Sequence, residues 1–372
     1  MDGAKLNRRI IECRQLVAFR TFYKEFKEVI NGKCIYTQRI RKPRVERIWD
    51  NMVWLLKNHE VNRFYNTYGL DVKDFRDSKD FIPYRKFSIE RNDANLSISG
   101  GGDYNGYNYV CVLRDKSVFA SYVSETVGSK YAVPVLGITT GETARVYRNN
   151  DISLTEYLNT RRNKDTILKK VSGECGDGVY LVEWKEENKS WFVNRKPVDL
   201  QSFVMSLGGG GEYIIQDRVI QHDEINKINP YCVNTIRIVT VADKKKNVHV
   251  FAKFLRVGTG QGVKDNRATG GYGISINEQG VLSNFAISHN DFITAHPDTG
   301  FIFGGFQIPY WDDVVKLVIT MHSYLSDIES IGWDVAITPN GPVLIEGNDN
   351  WEISGPQDME GGLKERWNQI RG

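Results

Sequence analysis

The sequence predicts an α+β fold built mostly on antiparallel sheet, and three observations carry that prediction. From about residue 130 onward the chain runs through short alternating apolar stretches broken by Gly-, Pro- and Asn-rich joints, which is the pattern of strands and hairpins. Before residue 60 the apolar residues instead recur at helical spacing. At 372 residues, the chain is long enough for two or three domains with cores of their own.

The elements follow in order. Leu6, Ile10, Cys13 and Val17, then Phe19, Phe22, Phe26 and Val29, predict a helix over residues 4–30 that Gly32 would end. Val45, Ile48, Trp49, Met52, Leu55 and Leu56 predict a second amphipathic helix over 44–58, and an aromatic stripe at that spacing is expected to face a core. A Ser/Gly-rich break at Ser97 to Gly102 precedes Tyr107–Leu113, so residues 1–112 are expected to form an N-terminal helical and mixed domain. Strands are expected at Ala132–Ile138, Thr166–Lys170, Val179–Trp184 and Ser190–Val193. A helix over 199–207 and a glycine run at Gly208 to Gly211 follow. Further strands are expected at Tyr213–Ile220, Thr235–Val241, Val248–Val257 and Gly273–Ile276, then a helix over Trp311–Ser326 and a closing hairpin. No internal repeat and no low-complexity tract interrupts this order.

Composition narrows the function classes. The chain is 41% apolar and 12% aromatic, which suits a globular protein. No apolar run approaches the roughly 18 residues of a membrane span, and the opening MDGAKLNRRIIECRQ has no signal-peptide core. Five scattered cysteines form no CxxC, which argues against a disulfide framework and a zinc site. A cytoplasmic protein is the expectation. The net charge of +3 hides an asymmetry: residues 1–50 hold 13 Lys/Arg against 6 Asp/Glu, so the remainder is mildly acidic. That basic segment reads either as a solvated helix face or as a contact for anionic lipid or glycan. Nucleic acid is not expected, since no recognition motif is present.

The most informative stretch is IGWDVAITPNGPVLIEGNDN, residues 331–350. Two alternating runs joined by Thr338-Pro339-Asn340-Gly341-Pro342 read as a hairpin. Glu346 and Asn348 then share a face, and a turn centred near Asn340 sets Asp334 opposite Glu346, Cβ atoms roughly 5 Å apart. Carboxylates that close repel unless a cation lies between them. Two carboxylates and an amide form an oxygen-only set suited to Mg²⁺. The same pattern also fits a hairpin with acids on its wet face.

Other stretches could carry chemistry. ILKKVSGECGDGV, residues 167–179, puts a lysine, Lys169 or Lys170, at a strand end before a glycine-rich turn containing Gly176 and Gly178. Backbone N–H groups of such a turn hold phosphate oxygens. It is not the GxxxxGK[ST] loop, because the lysine precedes the glycines. YIIQDRVIQHDEI, residues 213–225, runs an apolar strand into Gln216, Asp217 and Arg218. Arg237, Lys253 and Arg256 lie on neighbouring strands, where arginines clamp anions bidentately or bridge to acids such as Asp334 and Glu346. GTGQGVKDNRATGGYG, residues 258–273, is a polar loop with six glycines, and loops of that length are usually functional or mobile. The histidines make no HxH or HExxH pair, and no covalent-nucleophile motif occurs.

In this fixed order the pieces resemble the ATP-grasp superfamily of carboxylate–amine ligases, over about residues 112–350. DVAITPNGPVLIEGN resembles that superfamily's closing D…E-x-N magnesium motif. LRDKSVF looks like its segment with the first nucleotide lysine, here Lys116, and ILKKVSGECGDGV looks like the segment with the second, here Lys169. Lys170 stands where proline is usual, which leaves the register between Lys169 and Lys170 open. NTIRIVT, LRVGTGQGVKDNRATGGYG, HPDTG, IGWDVAIT and GPVLIEGN resemble one branch, the sugar-transfer-associated ATP-grasp family. The resemblance implies an ATP-grasp fold, two α+β subdomains clasping ATP, with a small lid at residues 113–215 and a C-terminal core with the metal site at 216–372. It implies ATP and Mg²⁺, with Mn²⁺ an alternative. Lys116, Lys169, Gly176, Gly178, Gln216, Asp217 and Arg218 would hold the nucleotide. Asp334, Glu346 and Asn348 would hold metal, and Arg237, Arg256 and Lys253 would serve catalysis. It implies small-molecule carboxylate and amine substrates, sugar-linked by gene neighbourhood. A kinase using the same phosphate machinery and a non-catalytic nucleotide- or glycan-binding module are the rival readings.

Overall fold

A computed structural model of the protein describes residues 20–96, 108–147, 151–173, 178–263, 265, 267, 270–288 and 291–372. The predicted helix residues before 20 lie outside that set. The described residues divide into two compact units. One takes those up to Glu90, with 291–292 and Glu352–Glu365; the other takes the rest.

The first unit opens with helix α1 (20–31) and α2 (Arg44–Asn58). Val29, Trp54, Tyr65, Tyr68, Leu70 and Phe81 form its core. Helix α2 spans the predicted residues but faces the opposite way. Its buried residues are Arg47, Asn51 and Trp54. The Arg47 guanidinium donates to Ile30 O, and Asn51 Nδ2 donates to Arg47 O at 2.9 Å. Backbone carbonyls thus receive one donor from each of Arg47 and Asn51, while Arg47 Nε, Asn51 Oδ1 and Trp54 Nε1 are buried without a partner among the described residues. Of the stripe expected in a core, Val45, Trp49, Met52 and Leu56 are exposed instead, while Ile48 and Leu55 are half-buried.

Helix α3 (Tyr84–Asn95) follows, then, in the second unit, α4 (Val110–Arg114) and α5 (Lys116–Thr126). Asp115 caps α5, accepting from Ser117 N at 2.8 Å and Val118 N at 3.0 Å. The strands that follow are β1 (Val135–Thr139), β2 (Thr143–Val146) and β3 (Asp151–Ser153), then helix α6 (Leu154–Asn159). Strands β4 (Thr166–Lys170), β5 (Val179–Lys185), β6 (Ser190–Val193) and β7 (Lys196–Val198) lead to helix α7 (Leu200–Leu207) and β8 (Tyr213–Asp217). These eight strands form one sheet, ordered β3-β2-β1-β8-β4-β5-β6-β7 with antiparallel pairing. One face is covered by α6 and α7, whose Leu154, Leu158, Phe203 and Val204 share a core with Leu168, Val182, Tyr213 and Ile215.

After the short helix α8 (Asp223–Asn226) the chain builds a second sheet. It contains β9 (Ile236–Ala242), β10 (Val248–Val257), β11 (Tyr272–Ile276), β12 (Leu282–Ile287) and β13 (Phe292–Ile293). Helix α9 (Trp311–Ser323) precedes β14 (Ser330–Thr338) and β15 (Gly341–Asn348). Its order is β13-β12-β11-β10-β9-β14-β15. Ile238, Leu255, Trp333 and Val335 pack with Val314, Leu317, Val318 and Met321 of α9, so this face holds the larger core. The β14–β15 turn is two residues long, with Thr338 paired to Gly341. Helices α10 (Ser354–Glu360) and α11 (Lys364–Arg371) end the chain. The α+β class and its antiparallel sheets agree with the prediction.

Candidate active site

Strand parity assembles the first wall of the site. Trp333 and Ile238 point into the core with α9, so their neighbours Asp334 and Arg237 emerge on the other face. The register sets Arg237 opposite Asp334, and Asp334 opposite Glu346. The hairpin expected from the sequence places its two carboxylates as a cross-strand pair, through a bulge between Asp334 and Val335. Arg237 grips Asp334 with two bonds, Nε to Oδ1 at 2.6 Å and Nη2 to Oδ2 at 3.0 Å. Arg256 Nη2 lies 3.3 Å from Asp334 Oδ2. Asn348 pairs with Gly332 and donates its amide to Gly332 O at 3.2 Å and Glu346 Oε1 at 3.5 Å.

The second wall comes from the eight-stranded sheet and α5. On β4, Leu168 faces the α6–α7 core, so Lys169 faces away from it. Lys170 pairs with Tyr213 on the core face. The alternation therefore turns Lys169, not Lys170, toward the carboxylates. Lys116 Nζ donates to Gly173 O at 2.7 Å and lies 3.8 Å from Glu346 Oε2.

The electrostatics follow from burial and neighbours. Burial raises the Asp334 carboxyl, but Arg237 and Arg256 outweigh it and hold the group below the usual carboxylate range. Burial and the adjacent Asp334 raise Glu346, against the pull of Lys116 and Lys169. Burial lowers the Lys169 ammonium to about 8, with Glu346 opposing the shift and Lys116 reinforcing it. Burial also works against the Arg256 charge, yet Asp265, Asp334 and Glu346 more than compensate.

The remaining expected residues divide. Gln216 shares the Lys169 face of the sheet and donates Nε2 to Val133 O at 2.9 Å. Asp217 and Arg218 sit at the strand exit with their charges engaged. Asp217 pairs with Arg161, while Arg218 bonds Asp165 through its backbone N–H at 3.1 Å and its guanidinium at 3.0 Å. Gly178 has φ +67°, and a Cβ there would come within 2.7 Å of Lys170 Cγ, so the turn needs glycine on steric grounds. Gly176 lies outside the described residues. Lys253 corrects the expectation that it stands with the arginines. It pairs across the strands with Ile238, on the α9 face, and its Nζ donates to Glu278 Oε1 at 2.6 Å. Residues 253 and 256 are three apart in one strand, so they emerge on opposite faces.

The structure adds residues that the sequence reading missed. Asp265, the single acid of the 258–273 loop, is buried and accepts from Arg256 Nη2 at 3.0 Å, Thr235 N at 3.0 Å and Thr235 Oγ1 at 2.5 Å. Arg256 is thereby held between Asp265 and Asp334. The HPDTG segment anchors the start of the same loop. His296 Nε2 donates to Gly258 O at 2.8 Å, and Asp298 Oδ2 accepts from Gly260 N at 2.6 Å. Residues 264, 266, 268 and 269 of the loop lie outside the described set. A lone acid between Lys264 and Arg267 in a glycine-rich loop was the available signal.

Two carboxylates and four cations, Arg237, Arg256, Lys116 and Lys169, thus meet in one place, an arrangement for holding an oxyanion-rich ligand. Residues 99–372 match the sugar-transfer associated ATP-grasp family. The chain belongs to that family. No curated protein matches it. Solved structures similar to this ATP-grasp chain include N5-carboxyaminoimidazole synthetase from Staphylococcus aureus complexed with ADP (11% identity, 67% of this chain and 48% of that one, TM-score 0.38). Another is an L-amino acid ligase from Bacillus licheniformis (14%, 70% and 46%, 0.35). D-alanine–D-alanine ligase from Bacillus anthracis is a third (11%, 70% and 67%, 0.36). The chain spans about half the length of the first two. Among the described residues, no helix is long and apolar enough to cross a membrane.

Proposed function

We propose that this ATP-grasp protein is an ATP- and Mg²⁺-dependent carboxylate–amine ligase. It would act in the cytoplasm on sugar-linked precursors of bacterial surface polysaccharide or glycoconjugate. The observation that carries the reading is the convergence of Lys116, Lys169, Arg237 and Arg256 on the Asp334–Glu346 pair. In this proposal the eight-stranded sheet, within residues 113–215 for all but the end of β8, is the lid, and the core is 216–372 apart from the segments 291–292 and Glu352–Glu365 that belong to the first unit.

The oxygens of Glu346 and Asn348 fit a hard divalent cation, and Asp334 would join them when Arg237 and Arg256, which hold both its oxygens, turn to substrate oxygens. Asp334 and Glu346 face each other across the strands, and burial with mutual repulsion raises Glu346. Asn348 spends its amide N–H on Gly332 O, which leaves its oxygen as an acceptor. Oxygen donors of this kind hold Mg²⁺ with nucleotide phosphates. Bound there, the metal would neutralise phosphate charge as it develops. Lys169 and Lys116 orient the triphosphate so that a substrate carboxylate oxygen attacks the γ-phosphorus in line. The bond to ADP breaks, and an acyl phosphate forms. Arg237 and Arg256 hold its oxygens while an amine nitrogen adds to the carbonyl carbon. The C–O bond to phosphate breaks, a nitrogen proton passes to solvent, and amide, ADP and phosphate result. The 258–273 loop excludes the water that would hydrolyse the intermediate.

With the correct carboxylate and no amine, added hydroxylamine is expected to yield a hydroxamate. With both substrates, ADP and free phosphate should appear in equal amounts. A stable phosphorylated product without free phosphate would replace the ligase reading with a kinase.

Asp265 supplies a further prediction. Asp265→Asn keeps the shape but weakens the charged bond to Arg256, a loss of about 1.5–3 kcal/mol where the partner is charged. ATP turnover should fall roughly tenfold or more, and Asp265→Glu should retain more activity than the asparagine variant. Equal loss in both variants would indicate a purely steric role for the loop.

A further inference from the structure

Helix α2 carries the most conspicuous feature outside this site. Its spacing puts Val45, Trp49, Met52, Val53 and Leu56 on one arc roughly 100° wide, and all five are exposed, Val45 79%, Trp49 65% and Leu56 75%. A contiguous apolar face of this kind marks an interaction surface. Its inward face is anchored in the unit, with Trp54 in the core and the Arg47 guanidinium donating to Ile30 O, so the helix is not simply turned the wrong way round. Exposed Arg44 and Lys57 flank the apolar arc at the two helix ends. The surrounding sequence is basic, with 13 Lys/Arg against 6 Asp/Glu in residues 1–50, while the rest of the chain is mildly acidic.

We propose that α2 is an interfacial helix that lies on an anionic membrane surface. Fifteen residues give a rod about 22 Å long, too short to span a bilayer, and its ends are charged. Lying in the interface plane, the helix buries the aliphatic arc among acyl chains. Trp49 sits at headgroup level, and Arg44 and Lys57 reach lipid phosphates. Pairing with a second copy fits less well. An antiparallel pair would set Arg44 against Lys57, and a parallel pair would set each against its own copy, like charges in both cases. The proposal is independent of the ligase reading.

The test uses the full chain in flotation assays with phosphatidylcholine vesicles and with vesicles of equal parts phosphatidylcholine and phosphatidylglycerol. Binding to the anionic vesicles is expected to exceed binding to the neutral ones and to weaken as salt is raised. Trp49→Glu combined with Leu56→Glu should lower it by about tenfold or more. Both residues are exposed, so the far-UV spectrum and melting temperature should hold. Arg44→Gln with Lys57→Gln should reduce the preference for anionic lipid while leaving the apolar contact. The proposal is overturned by absence of binding, by equal binding of the parent and the double glutamate variant, or by equal binding to both vesicle types. It is also overturned if sedimentation shows a dimer that the glutamate variant dissolves while vesicles bind neither form.

Discussion

Glu346→Gln is expected to lower ATP turnover by at least about 100-fold while leaving the protein as stable as before, or more so. The activity term follows from position. Glu346 stands opposite Asp334 and within 3.8 Å of Lys116, where a single electrostatic group is worth roughly 3–4 kcal/mol in the transition state. The stability term follows from the direction of its shift. A carboxyl raised above its ordinary 4.5 binds its proton more tightly folded than unfolded. Its ionised form therefore weakens the folded state, progressively as pH rises from 4.5 through the folded value. Glutamine has the same shape and never ionises, so that penalty disappears. A structural glutamate would behave in the reverse sense. Turnover of the substrate mixture and thermal melts at pH 5 and pH 8 separate the cases. Near-normal turnover in the folded variant removes Glu346 from the site, and a large drop in melting temperature assigns it to the scaffold.

The same logic explains what was legible in the sequence. The β14–β15 hairpin was readable from its turn residues and alternation, but its two-residue turn alone would set Asp334 opposite Ile345; a bulge between Asp334 and Val335 shifts the register by one and brings Asp334 opposite Glu346. The span of α2 was readable from its period, but its orientation was not. Hydrophobicity ranks Trp49 and Leu56 above Arg47, and only three-dimensional contacts reveal that Ile30 O receives the Arg47 guanidinium. Lys253 was a misreading that parity alone could have prevented, since it and Arg256 are three positions apart in one strand. Asp265 was hidden for a different reason. It lies in a loop with neither a helical nor a strand period, and its partners Thr235 and Arg256 are 30 and 9 residues away. Periodicity finds the faces of regular elements; it does not find the loop residue that holds a strand arginine in place.

Lys169→Met is the second large effect expected, and it differs from its neighbour in a way that fixes the register. Lys169 is buried on the sheet face turned away from α6 and α7, while Lys170 lies on the face that packs against them. A charge-assisted bond from a buried ammonium to phosphate is worth about 1.5–3 kcal/mol, so the ATP dissociation constant should rise roughly 10- to 100-fold in Lys169→Met and change little in Lys170→Met. The pH dependence adds a signature. Burial lowers the Lys169 ammonium from 10.5 to about 8 in the protein without nucleotide. ATP affinity of the parent protein should therefore decline above pH 8, by up to tenfold per unit, while Lys169→Met shows no such decline from this group. The stability sign is again opposite to the functional one. Between about 8 and 10.5 the unfolded chain still holds the proton that the folded chain has lost, so stability gains with pH across that window, and below it the buried charge is a cost. Methionine, similar in length and uncharged, should remove that cost and leave the melting temperature equal or higher at pH 7. Calorimetric titration with ATP between pH 6.5 and 9.5 reads both effects. Loss of affinity in Lys170→Met with a normal Lys169→Met would move the phosphate lysine one residue along β4 and reverse the face of that sheet assigned to the nucleotide.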